Sequence, residues 1–168
     1  MTSAGTQSLV NKVTLDAADL RILGHLQVDA ALSNQRLAAL AHVSAATCLR
    51  RVKRLVDSGL IQRRVALLAP EALGGMLQVI CEVSLDRQGG EHMDAFEAVA
   101  TGHEAIQQCY RVSPGPDFIL VAVARDMAQW GAVVAELFTQ HRNVRNVKSF
   151  FVLRRSKYET AWPLPDEA

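Results

Sequence analysis

The chain has 168 residues, 49 % of them apolar and 21 % charged, with a formal net charge of +1. That length suits one ordinary domain or two small ones, and the apolar share excludes a disordered chain. No apolar run approaches the ~20 residues that cross a bilayer, and the polar start lacks the apolar stretch of an export signal, so a cytoplasmic chain with no membrane role is expected.

Residues 1–14 read as a flexible tail. The charges are unevenly spread. Up to Leu68 there are nine Lys/Arg against four Asp/Glu, a net +5, and the rest carries nine against thirteen, a net −4. A basic first third on a mildly acidic remainder implies that only the first part meets a polyanion. Cys48, Cys81 and Cys109 are widely spaced without a C-x-x-C pair, and the five histidines are scattered. Neither a disulfide framework nor a metal site follows, and no cofactor is expected.

Residues 15–60 read as three helices. In the first, Leu20, Leu23 and Leu26 recur at helical spacing behind Asp16, a side chain suited to capping a helix start. The second begins at Ser33 and carries Leu37, Leu40 and Ala41 on one face. Val43-Ser44 makes a turn, Ser44 caps the third helix, and Gly59 ends it.

At about 100° per residue, Cys48, Leu49, Val52, Leu55 and Val56 fall on one apolar arc of the third helix. Thr47, Arg50, Arg51 and Arg54 fall opposite, and the small Ala45 and Ala46 at the start permit close approach to a groove. Such a helix suits the major groove of double-stranded DNA, with its first residues near base edges and arginines reaching guanine or phosphate. A merely solvated cationic face is the alternative. The short capped helix and tight turn before it, and the near absence of acidic residues, favour DNA. The candidate DNA-binding residues are Ser33, Ser44, Ala45, Ala46, Thr47, Arg50, Arg51 and Arg54.

Residues 61–75 read as a connecting strand and hinge, with Leu60 to Leu68 strand-like up to Pro70. From 76 to 155 the pattern changes. Leu77 to Leu85 alternates as a strand, and Met93, Phe96, Val99 and Ala100 mark a helix. Strands follow near Ile106 to Val112 and at Phe118 to Ala124. A helix from Asp126 to about Gln140 places Met127, Trp130, Val133, Val134, Leu137 and Phe138 inward, and Asp126 with Gln129 resembles a capping box. A last strand spans Val147 to Leu153. This order is that of a ferredoxin-like βαββαβ fold, so the fold class is α+β. Two of the strands are apolar on both faces, while two helices cover only one, which predicts a homodimer through this sheet. Residues 156–168 form a C-terminal tail without a motif.

The run Leu15-Asp16, Asp19, Ile22-Leu23, Ser33-Asn34, Leu37-Ala38, Val43-Ser44, Cys48 through Leu55 and Gly59-Leu60-Ile61 resembles the Lrp/AsnC, or feast/famine, transcriptional regulators. The likeness covers about Leu15 to Leu153. It implies a winged helix-turn-helix DNA-binding head, a ferredoxin-like effector and dimerisation domain, dimers assembling further into tetramers or octamers, and an amino-acid effector bound between dimers. The family's loop motif, roughly Gly-Asp-Tyr-Asp-Tyr, corresponds here to Ser113-Pro114-Gly115-Pro116-Asp117-Phe118, where two prolines flank a displaced glycine. Prolines remove backbone donors, so the ligand differs from a standard amino acid or is missing. The resemblance marks Arg111, Ser113, Gly115, Asp117 and Met127 as effector residues. Asp117 either binds an ammonium group or caps the turn, and Met127 either senses the effector or packs in the core.

An enzyme is the competing reading, because siroheme-type (tetrapyrrole) decarboxylases share this plan. His103, His141 and Arg142 would then face an acidic tetrapyrrole, yet no nucleophile–base pair or phosphate loop accompanies them. A third reading is a regulator that wraps DNA with weak sequence preference.

Overall fold

The computed structural model describes residues 14–165, which divide into two compact units. The expected tail at 1–14 lies, but for Thr14, outside the described residues. The first unit takes the chain up to Leu67 together with the C-terminal stretch from Lys157. The second is Leu68–Ser156.

Three helices build the first unit: α1 (Ala17–Val28), α2 (Asn34–Leu40) and α3 (Ala45–Asp57). Asp16 and Asp19 cap α1 reciprocally. Asp16 Oδ1 accepts from the Asp19 N–H at 2.9 Å, and Asp19 Oδ2 accepts from the Asp16 N–H at 3.2 Å, so free amides of the first turn are satisfied. Ser33 and Ser44 cap the other two as expected. Their shared core joins Ile22, Leu23, Leu37, Ala38, Ala41, Cys48 and Leu55.

The C-terminal stretch belongs to this head, contrary to its reading as a separate tail. Leu164 packs on the three-helix core, and its Cδ1 lies 3.8 Å from where a Cβ on Gly24 would stand. The Gln27 amide grips the Trp162 backbone from both sides, accepting from its N–H at 2.6 Å and donating to its carbonyl at 3.0 Å.

Residues 62–69 do not form the expected strand. They adopt no regular secondary structure and lie exposed, Val65, Leu67 and Leu68 included. Val65 is the one β-branched residue in this stretch, and a strand exists only when its amides and carbonyls find a neighbouring ladder.

The second unit is a four-stranded antiparallel sheet in the order β2-β3-β1-β4, with β1 Leu77–Leu85, β2 Ile106–Arg111, β3 Phe118–Ala124 and β4 Val144–Phe151. Helices α4 (Gly90–Gly102) and α5 (Met127–Val134) connect the strands in ferredoxin-like order, and the last turn of α5, Ala135–Thr139, widens to π geometry. Strict alternation buries Phe118, Leu120, Ala122 and Ala124 of β3 against Phe96, Trp130, Val133 and Leu137. Val99 and Met127, expected inside, are 47 % and 58 % exposed. Asp126 caps α5 through the Gln129 N–H at 2.8 Å, but Gln129 Oε1 accepts from Arg125 N–H, not from Asp126, so the capping box is half formed.

Candidate DNA interface and effector region

The start of α3 is fixed from two directions. Asn34 Nδ2 donates to the Ala45 carbonyl at 2.8 Å, tying the heads of α2 and α3 together, and Arg21 Nε donates to the Ala41 carbonyl at 3.1 Å. The Ser44 hydroxyl accepts from the Thr47 N–H at 3.2 Å and donates to Thr47 Oγ1 at 2.9 Å. Thr47 is therefore half-buried and engaged in the cap, while Ala45 and Ala46 stand exposed. Ser33 is exposed at the start of α2, its hydroxyl accepting from the Arg36 N–H.

The three arginines of α3 part company. Arg50 is exposed and makes no hydrogen bond or ion pair among the described residues. Arg51 turns back toward α1, with Nη1 2.8 Å from Asp16 Oδ2 and 2.9 Å from Asp19 Oδ1, leaving its side chain 20 % exposed. Arg54 reaches Asp19 Oδ2 through Nη2, with 46 % of its side chain exposed. The placement of Arg51 on the solvent face is thus corrected. Its guanidinium holds α3 to α1, because the buried Asp19 carboxylate needs a partner. The apolar arc is corrected as well. Cys48 and Leu55 are fully buried, but Leu49 and Val56 are 61 % and 45 % exposed. What faces out along the first turns of α3 is Ala45, Ala46, Leu49, Arg50 and Lys53, and sequence reasoning missed Leu49. A wheel averages over the whole helix, and only the Arg51–Asp19 pair reveals its true rotation.

The Arg51 guanidinium and the Asp19 backbone N–H hold the Asp16 carboxyl below the ordinary carboxylate range, the backbone bond contributing most. Arg51 is correspondingly raised, chiefly by its bonds to Asp19 and Asp16.

In the second unit, Asp117 is buried and serves the sheet. Its Oδ2 accepts from the Leu85 N–H at 2.6 Å, and its own N–H donates to the Val83 carbonyl at 2.9 Å, holding the start of β3 to the end of β1. Its side chain thus joins the start of β3 to β1 and does not itself cap the β2–β3 turn. Arg111 is half-exposed but engaged: Nη2 lies 2.6 Å from Asp94 and 2.8 Å from Glu97, and the guanidinium stands 5.7 Å from the Phe118 ring centre. Ser113 and Gly115 are exposed in the β2–β3 loop, with Gly115 at φ 121°, a conformation that favours glycine. Met127 begins α5 beyond the opposite end of β3. Seven strand residues separate the two ends, roughly 20 Å at the rise of a strand. One chain does not bring Met127 together with the loop residues.

Among the described residues no group of His, Cys, Asp or Glu is placed to hold a metal, and no helix is long and apolar enough to cross a membrane.

Residues 15–62 match the family model of a winged helix-turn-helix DNA-binding domain, and residues 78–162 match that of the Lrp/AsnC ligand binding domain. The chain belongs to the Lrp/AsnC family of transcriptional regulators. It is 36 % identical over 149 residues to the leucine-responsive regulatory protein of Rhizobium meliloti, covering 89 % of this chain and 96 % of that one. Among solved structures it is similar to a transcriptional regulator of Neisseria meningitidis in complex with L-Met, at 32 % identity and a TM-score of 0.81 over 89 % of this chain and 97 % of that one. An AsnC family regulator of Agrobacterium tumefaciens gives 30 % identity and the same TM-score over the same shares. Members of this family are regulators and not enzymes, and the tetrapyrrole decarboxylase reading finds no support among these relatives.

Proposed function

We propose that this Lrp/AsnC regulator binds operator DNA with the outer side of α3 and adjusts that binding through an amino-acid-like effector held between copies of its ferredoxin-like unit. The observation that carries the reading is the exposed Arg50, without a partner among the described residues, on a capped helix that begins with the two exposed alanines Ala45 and Ala46. Ser33, Ser44, Ala45, Ala46, Thr47, Arg50 and Arg54 lie on the DNA side. Arg51 acts by orienting α3.

The effector proposal rests on the ligand-binding domain and on the relative solved with L-Met. Arg111, Ser113, Gly115 and Met127 are its proposed contacts, with Asp117 shaping the loop. Because Met127 stands apart from the loop within one chain, a pocket holding both takes a second copy. The sheet supports association. Its helix-free face presents Ile80 beside Val121 and Phe150, and Tyr110 beside Ile119, with Ile80 38 % and Phe150 50 % exposed. A second copy of this sheet covers it, and dimers then assemble further, up to an octamer. Sedimentation as a monomer at micromolar concentration contradicts that. A regulator acting on chromosomal DNA works in the cytoplasm.

The test is a gel-shift titration on the DNA upstream of its own coding sequence, with and without a panel of amino acids. Binding at nanomolar protein that survives non-specific competitor, and that shifts with at least one amino acid, is expected. Binding no tighter than to random duplex defeats the operator reading, and complete indifference to the panel defeats the effector reading.

A further inference from the structure

Leu49 lies in the second turn of α3 with 61 % of its surface exposed, one residue before the exposed Arg50. The helix is rotated so that Cys48 and Leu55 are fully buried and Arg51 is drawn toward α1 by Asp16 and Asp19. At about 100° per residue, Leu49 is thereby turned out of the core toward the side that carries Ala46, Arg50 and Lys53. Thr47 falls on the opposite flank of that side, half-buried with its hydroxyl engaged by Ser44.

The exposed beginning of α3 therefore combines cations with a single branched apolar side chain, and Ala45 and Ala46 are too short to keep it from a surface. No acidic residue precedes Asp57 on the helix. A polyanion suits those cations. In the DNA major groove the thymine C5-methyl is the apolar partner that bases present. We propose that Leu49 is a specificity-determining residue, packing on a thymine methyl beside the base or phosphate that Arg50 takes. The inference rests on α3 entering the major groove.

The experiment is selection of binding sites from a randomised duplex pool by the full-length chain and by Leu49→Ala, with sequencing of the selected pools. Sedimentation and thermal melting of both proteins accompany it. The wild-type sites are expected to fix a T·A pair in each half-site. Leu49→Ala is expected to keep the rest of the site and relax that pair by about fourfold or more, the factor that burial of one methyl group carries. Melting and sedimentation stay unchanged. An identical preference at that pair overturns the inference, as does an even loss across all positions. A change in sedimentation also overturns it, since it makes Leu49 a contact between copies. A wild-type chain that selects no site overturns the DNA reading itself and this inference with it.

Discussion

Asp19 is fully buried, and the two guanidinium groups that reach it set how α3 lies on α1. Removing one of them leaves a carboxylate in a dry place with a single cationic partner and the Asp16 N–H. Arg51→Ala is expected to destabilise the head by about 2 kcal/mol, the scale of a hydrogen bond to a charged group in a site mostly out of water. Arg51→Lys is expected to recover part of this, because one nitrogen, Nη1, makes all the contacts to Asp16 and Asp19 and an ammonium carries three donors. Thermal unfolding of the full chain measures both, and an Arg51→Ala chain melting like the wild type contradicts the role. The same node carries an acid sensitivity. Asp16 is held ionised in the folded head, so its contribution is present above the ordinary carboxylate range and is lost as the pH falls through its lowered folded value. At this scale the sequence is readable where chemistry is local. Asp16, Ser33 and Ser44 announce their caps because a cap needs only residues three or four along. Arg51 and Arg54 did not announce theirs, since a partner 32 or 35 residues away appears only once α1 and α3 have packed. Asp117 was ambiguous for the same reason, its Leu85 partner also lying 32 residues distant.

At the scale of elements, the two long helices and the four strands of the ferredoxin-like unit were readable from periodicity, with β1 and β3 at their observed limits. β4 runs Val144–Phe151, beginning three residues before the expected Val147, and the short helical turn Pro70–Leu73 had no signal of its own. Two other stretches were not readable. The segment 62–69 has Val65 as its one β-branched residue and no ladder partner, so an apolar run beside Pro70 was a poor guide to a strand. The C-terminal stretch lacks any period, yet Trp162 and Leu164 anchor it on α1 through two backbone hydrogen bonds and one apolar contact. Its attachment has a stability consequence. A chain ending at Ser156 loses those bonds and the cover over Gly24, so its head is expected to be weaker by about 1–2 kcal/mol. Amide hydrogen exchange along α1 reads this directly, with faster exchange expected there and unchanged protection in β1 and β3. Equal protection of α1 in both chains contradicts the anchoring.

At the scale of the molecule, the net charge of +1 conceals a division of labour between a basic head and an acidic remainder. Within the head, only part of the positive charge is free to meet DNA. Arg51 is held by α1, Lys53 is paired with Asp57 at 2.7 Å in a surface bridge that water and salt readily loosen, and Arg50 has no partner among the described residues. In the proposed function, α3 reads operator DNA with Arg50 while Arg51 holds the helix in place. The most direct test compares operator affinity across a range of salt for the wild type and Arg50→Ala, both shown to melt alike. Arg50→Ala is expected to lower the affinity by roughly tenfold, with a salt slope shallower by about one if the contact is to phosphate, or a relaxed preference at one base pair if it is to guanine. Unchanged affinity, slope and base preference would contradict it.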